Sequence, residues 1–295
     1  MLPFTVIGGY LGAGKTTLLN NLLSQAGGLR IAVLVNDFGE VNIDAELIAS
    51  HDGGTISLTN GCLCCDLSNG FAAAIGDVLK RADALDHAIV EASGVAEPGK
   101  IAQYGQMYQL PLDGVFVVVD AEQIRDRAAN KYVGDTVQRQ LAQADLIVLN
   151  KTDLLSTDAL AELRSWLAQH AAAPLYETSY AEIPLQVLFG QLTAAGRKPQ
   201  DRGSSHSEQD HSLDHANRYR TWTLERDEPV KREAFERLAN RIGKEIFRAK
   251  GFVHFTSAPE RRYLYQQVGG RWTLEDLGSG HIPYAQTRIV FIGPK

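Results

Sequence analysis

An α/β layered fold, with a mostly parallel sheet flanked by helices and a smaller α+β domain behind it, is what this 295-residue sequence predicts. Three observations carry that expectation. Short apolar, β-branched runs recur with helical patterns between them, as in strands buried on both faces and joined by crossover helices. The first run leads into Gly9-Tyr10-Leu11-Gly12-Ala13-Gly14-Lys15-Thr16-Thr17, which fits G-x-x-x-x-G-K-[ST] at every required position and marks a P-loop NTPase core. Near residue 194 the composition turns polar, and aromatic strand-like runs follow.

Taken in order, Phe4–Ile7 reads as a strand, and the leucines of Thr17–Leu23 have helical spacing. Between them, glycine lets the backbone point several N–H groups at one anion, and the helix start adds its positive dipole end. Gly12, Ala13, Gly14, Lys15, Thr16 and Thr17 are therefore candidate phosphate-binding residues. Lys15 would reach the β- and γ-phosphates and the Thr16 hydroxyl would ligate Mg²⁺. Ile31–Val35, Ala88–Val90, Gly114–Val119 and Asp145–Leu149 read as further strands. Over residues 41–60 the pattern changes, and His51-Asp52-Gly53-Gly54 reads as a hairpin turn in an insertion beside the active site. From 194 to 217 there is almost nothing to bury, which predicts a linker. Tyr219–Leu224, Phe252–Thr256, Arg262–Val268 and Arg288–Ile292 then read as strands, and Lys231–Gly243 as a helix. The expected domains are 1–193, a polar linker 194–217 with sparse histidines, and 218–295. No internal repeat is visible.

A formal charge of −6 argues against a broad nucleic-acid or membrane-binding face. No apolar run approaches a membrane span, and the chain enters its first strand without a basic leader, so a cytoplasmic location is expected. All three cysteines, Cys62, Cys64 and Cys65, fall within four residues, which points to a metal or redox role in a reducing compartment rather than a disulfide framework.

Asn150-Lys151-Thr152-Asp153, at the end of a strand, resembles the N-K-x-D motif that reads guanine. A carboxylate accepts only, so Asp153 can take both N–H groups of guanine's edge, and adenine offers no such pair. Asn150 would support the ring's other polar edge and the stem of Lys151 would pack along the base. GTP is thus favoured over ATP. Glu91-Ala92-Ser93-Gly94 stands where a P-loop NTPase places its acidic Mg²⁺ and γ-phosphate sensor. Glu91 would hold Mg²⁺ through water or orient the attacking water, and the Gly94 N–H would approach the γ-phosphate. Asn36–Glu40 and Asp44 are candidates for a segment that closes on nucleotide and metal. Thiolates suit Zn²⁺. The cysteine trio leaves one position for a fourth ligand, which Glu40, an incoming thiol, an imidazole or water could supply. Adjacent Cys64 and Cys65 cannot face one way from a strand, so a turn is expected there. Buried thiols or a redox pair are the other readings of the trio. His206, His211 and His215 lie in the linker, which reads as solvated. His254, in an apolar strand pattern, reads as a core histidine.

Together Gly9–Thr17, Asn36–Glu40, Gly61–Cys65, Glu91–Gly94 and Asn150–Asp153 resemble the CobW-type metallochaperone GTPases, relatives of the UreG and HypB nickel-insertion GTPases. The likeness covers nearly the whole chain, since a C-terminal domain ending in a strand like Arg288–Gly293 is typical. It implies slow GTP hydrolysis coupled to handing Zn²⁺ or Co²⁺ to a metal-requiring client protein. Lys15 and Thr16 would hold phosphates and Mg²⁺, Cys62, Cys64 and Cys65 the transferred metal, and Asn150 and Asp153 the base. Two departures stand out: Asp37 where the family usually has Glu, and a thin histidine tract. A client-activating assembly factor resembling nitrile-hydratase activators, and a zinc- or redox-sensing regulator, are the alternatives. A homodimer is compatible with all of these readings.

Overall fold

The computed structural model describes residues 1–35, 56–59, 69–190, 219–279 and 286–295. By contacts, the chain divides into two compact units, Met1–Ile183 and Pro184–Lys295. In the first, β1 (Phe4–Gly8), β2 (Ile31–Val35), β3 (Ile56–Thr59), β4 (His87–Glu91), β5 (Leu112–Asp120), β6 (Leu146–Asn150) and β7 (Leu175–Glu177) form one sheet. Their order is β3-β2-β4-β1-β5-β6-β7, and each neighbouring pair is parallel. Helices α1 (Lys15–Gln25), α2 (Asn69–Lys80), α3 (Pro98–Met107), α4 (Ile124–Ala129), α5 (Gly134–Ala142) and α6 (Thr157–His170) supply the crossovers among the described residues.

Every residue of β1, β2, β4 and β6 is buried, which is why these strands read as unbroken apolar runs rather than alternating ones. Gly105 lets α3 lie directly on β1, because a Cβ there would stand 2.2 Å from the Phe4 ring. In α1, Leu18, Leu19, Leu22 and Leu23 are buried at helical spacing. The chain runs from β1 to β2 on one side and places β5, β6 and β7 on the other, so the winding reverses beside β1. At such a switch point a crevice opens at the carboxyl ends of the strands. Glu91, Asp120 and Asn150 each end a strand there, with Asp120 level with Asn150.

The parallel α/β core is therefore as expected, with two short strands beyond those read from sequence. β3 pairs in parallel with β2, Val33 opposite Ser57, while the hairpin turn expected at His51–Gly54 lies outside the described residues. The other, β7, has only three residues and completes the far edge.

In the second unit, α7 (Leu185–Phe189) precedes β8 (Tyr219–Arg226), α8 (Arg232–Ile242), β9 (Arg248–Phe255), β10 (Ala258–Val268), β11 (Arg271–Asp276) and β12 (Thr287–Pro294). The five strands form an antiparallel sheet in the order β11-β10-β9-β12-β8. Phe235 and Ala239 of α8 pack on a core that includes Val253, Phe255, Tyr265, Ile289 and Phe291. The Phe235 ring meets Tyr265 edge-on at 4.9 Å, and burying such a side chain contributes about 1.5–3 kcal/mol. Residues 194–217, where a linker was expected, fall outside the described residues. No helix among the described residues is long and apolar enough to cross a membrane.

Candidate functional site

The loop from Gly9 to Gly14 joins β1 to α1 at the switch point. Gly14, at the N-cap of α1, has φ 106°, and no side chain caps the helix. A Cβ on Gly14 would stand 2.5 Å from Asn150 Nδ2, so both conformation and space demand glycine. An uncapped helix start without an acidic side chain in its first turn is suited to an anion. Lys15 is only 8% exposed and its Nζ donates to the Tyr10 carbonyl at 3.4 Å, folding the ammonium back across the loop. The Thr16 hydroxyl donates to Glu91 Oε1 at 3.2 Å, across 75 residues of chain. A hydroxyl and a carboxylate side by side form a hard oxygen donor pair that fits Mg²⁺.

Asn150 is buried, and both ends of its amide are engaged. Its Nδ2 donates to the Ala13 carbonyl at 2.9 Å, and its Oδ1 accepts from the Ala181 N–H at 2.7 Å. It thereby ties the phosphate loop to the turn after β7. Lys151 adopts a left-handed conformation, φ 63°, and its ammonium meets Asp120 Oδ2 at 2.6 Å, a charge-assisted contact that fixes the start of the Lys151–Asp153 segment. The Thr152 N–H and hydroxyl both donate to the Thr178 carbonyl. Asp153 is exposed beyond them. From α1, the Asn21 amide donates to the carbonyls of Tyr180 and Ala181, both at positive φ.

On the other side of the loop, the Ala96 N–H donates to the Ser93 carbonyl, closing a turn just after Glu91. Gly94 sits against the phosphate loop, since a Cβ on it would lie 2.5 Å from the Leu11 side chain. Gln140 of α5 donates to the carbonyls of Gly94 and Ala96 at 3.1 and 2.9 Å.

The structure thus brings together Gly12, Ala13, Gly14, Lys15, Thr16, Thr17, Glu91, Gly94, Asn150, Lys151 and Asp153 around one end of the sheet. Glu40, Cys62, Cys64 and Cys65 lie outside the described residues, as do Asp37, Asp44 and the linker histidines. No group of three or more metal-ligating side chains occurs among the described residues. His254 is buried as a core histidine, its backbone N–H donating to the Thr287 hydroxyl. Burial, with Arg262 nearby, lowers its pKa.

Sequence reasoning missed three residues here. Asp120 carried a readable signal, an acid directly after the apolar run Gly114–Val119. Gln140 and Ala181 carried none, because their partners lie 46 and 31 residues away.

The nucleotide-binding-domain model described as CobW/HypB/UreG matches residues 3–175, and the model described as the cobalamin synthesis protein cobW C-terminal domain matches 219–295. The chain is 33% identical to the zinc chaperone CobW of Pseudomonas aeruginosa, over 99% of this chain and 87% of that one. It is 37% identical to the zinc chaperone YjiA of Escherichia coli, over 64% of this chain and 61% of that one. Among solved structures it is similar to the Zn(II)-bound YjiA GTPase from E. coli, with TM-score 0.50 and 27% identity, over 100% of this chain and 94% of that one.

Proposed function

The chain belongs to the CobW/HypB/UreG family, and from that premise we propose that it is a GTPase that binds Zn²⁺, or a similar metal such as Co²⁺, and hands it to a client protein. The observation that carries the nucleotide half is the Thr16–Glu91 contact at the mouth of the phosphate loop. The names of the relatives and the cysteine trio support the cargo half.

In this reading the backbone of Gly12–Thr17 cradles the phosphates, and Lys15 swings from the Tyr10 carbonyl onto the β- and γ-phosphates. Asp153 accepts from the guanine edge. The Asp120–Lys151 ion pair holds the base-reading segment, and Asn150 locks it to the phosphate loop. Thr16 and Glu91 would hold Mg²⁺, which neutralises phosphate charge. Water adds to the γ-phosphorus as its bond to the bridging oxygen breaks, giving GDP and inorganic phosphate. Gly94 donates its N–H to the γ-phosphate, and the second role open to Glu91, in place of holding Mg²⁺, is to orient the attacking water. The sequence carries no glutamine within or directly after Glu91–Gly94, where Val95 follows, which supports low turnover without a partner.

Cys62, Cys64 and Cys65, with Glu40 as a fourth ligand, would hold the cargo. We assign residues 1–193 to the GTPase domain, 194–217 to a linker and 218–295 to the C-terminal domain. The test is competition titration of purified protein with Zn²⁺. Cys64→Ala should weaken Zn²⁺ binding and leave GTP binding intact, and a variant that holds Zn²⁺ like the wild type removes the cysteine assignment.

A further inference from the structure

Gln140 is 2% exposed, deep on α5, and its Nε2 donates to two backbone carbonyls of one turn, Gly94 and Ala96. A buried amide is costly unless paired, so a glutamine here has to be placed with its donors aimed at those oxygens. Three residues on, at the C-cap of the helix, Gln143 Oε1 accepts from the Gly99 N–H at 2.9 Å. The two side chains clamp the segment that runs from the end of β4 into α3. A cavity of about 20 Å³ lies beside Gln140, bounded also by Tyr10, Leu11 and Ala13 of the phosphate loop. Helix α5 then leads directly into β6, whose last residue is Asn150.

We propose that Gln140 is a positioning residue for triphosphate recognition: by holding the carbonyls of Gly94 and Ala96 it sets the Ser93–Ala96 turn against the phosphate loop before nucleotide arrives, and so determines the preference for GTP over GDP. This rests on the reading of Glu91–Gly94 as the γ-phosphate sensor. GDP lacks the phosphate that the turn would meet, so the clamp leaves its affinity unchanged. GTP gains from a turn already in place, because the ordering cost is not met on binding. The clamp also links the phosphate-sensing turn, through α5, to the strand that carries the base-reading motif.

The test uses the full chain and measures the affinities of GDP and of a non-hydrolysable GTP analogue. Two variants are compared, Gln140→Glu, which keeps the shape but has no amide donor, and Gln140→Met, which keeps the length without charge. Losing two hydrogen bonds to the turn should lower the analogue-to-GDP preference about tenfold in both variants, with GDP affinity unchanged. A merely structural glutamine would lower the melting midpoint and weaken both ligands equally, leaving the ratio at its wild-type value, and that result overturns the proposal. A wild-type protein that binds both nucleotides equally removes the sensor reading beneath it and the proposal together. A discriminating wild type with unchanged ratios in the variants removes the proposal alone.

Discussion

Asn150→Asp is the sharpest perturbation of the nucleotide site, because it changes one donor atom and almost no volume. In the wild type, Nδ2 of this residue, 3% exposed, donates to the Ala13 carbonyl at 2.9 Å. The variant puts an acceptor oxygen against that carbonyl, so a hydrogen bond is lost and a buried oxygen loses a partner. Together these cost about 2–3 kcal/mol. The bond joins the phosphate loop to β6, so the cost falls on the loop geometry that nucleotide needs, and GDP affinity should drop by about 30- to 160-fold. Guanine preference should persist, because Asp153 carries it and Asn150 spends its amide on backbone groups. Acidification, which protonates the new carboxyl and restores a donor, should recover part of the loss. The assay is titration of fluorescent guanine and adenine nucleotides as a function of pH. An Asp variant that binds GDP like the wild type refutes the loop-locking role. One that loses base preference without losing affinity returns Asn150 to the ring edge.

Other outcomes follow from the same geometry. Gly14→Ala places a Cβ 2.5 Å from Asn150 Nδ2 at φ 106° and should abolish nucleotide binding, whereas Gly12→Ala, at φ 77° with nothing within 4 Å, meets only backbone strain of about 1–2 kcal/mol and should keep weakened binding. Equal losses in the two would contradict the packing argument. Asp153→Asn should reduce the guanine-to-adenine preference while leaving phosphate affinity in place, as read by paired GTP and ATP titrations. His254 is held below its ordinary pKa by burial, with Arg262 adding to the effect, so the unfolded chain takes up its proton first as pH falls through about 6.5. More protons bound in the unfolded state means that stability rises with pH there. Denaturant melts of the full chain should therefore show the C-terminal unit losing stability on going from about pH 7 to 5, and His254→Gln should flatten that slope. An unaltered slope would contradict the burial argument.

How much of this was legible in the sequence depends on the range of the interaction concerned. The G-x-x-x-x-G-K-[ST] loop, the buried parallel strands and the N-K-x-D sequence are local patterns, and the strands and the helix after the loop lie where the spacing put them. Short or polar strands were not: β7 has three residues, and β11 is built from Arg271-Trp272-Thr273-Leu274-Glu275-Asp276, whose charges mask the alternation. Likewise β9 begins four residues before the apolar run, at Arg248-Ala249-Lys250-Gly251, where tertiary pairing with β10 and β12 overrides weak local propensity. In the site, Thr16 and Glu91 were each readable, but their contact was not. Gln140 looks from sequence like any polar residue of an amphipathic helix, and only the fold turns it inward.

If GTP hydrolysis is coupled to metal transfer, as the resemblance to the family implies, nucleotide state must set how tightly the metal is held. The most direct measurement of that coupling is the Zn²⁺ dissociation constant of the full chain, by competition with a chelator, in the presence of GDP and of a non-hydrolysable GTP analogue with Mg²⁺. Zn²⁺ should bind more tightly with the analogue, and Zn²⁺ should raise analogue affinity by the same factor, as linkage requires. The same Zn²⁺ affinity with both nucleotides would contradict the coupling.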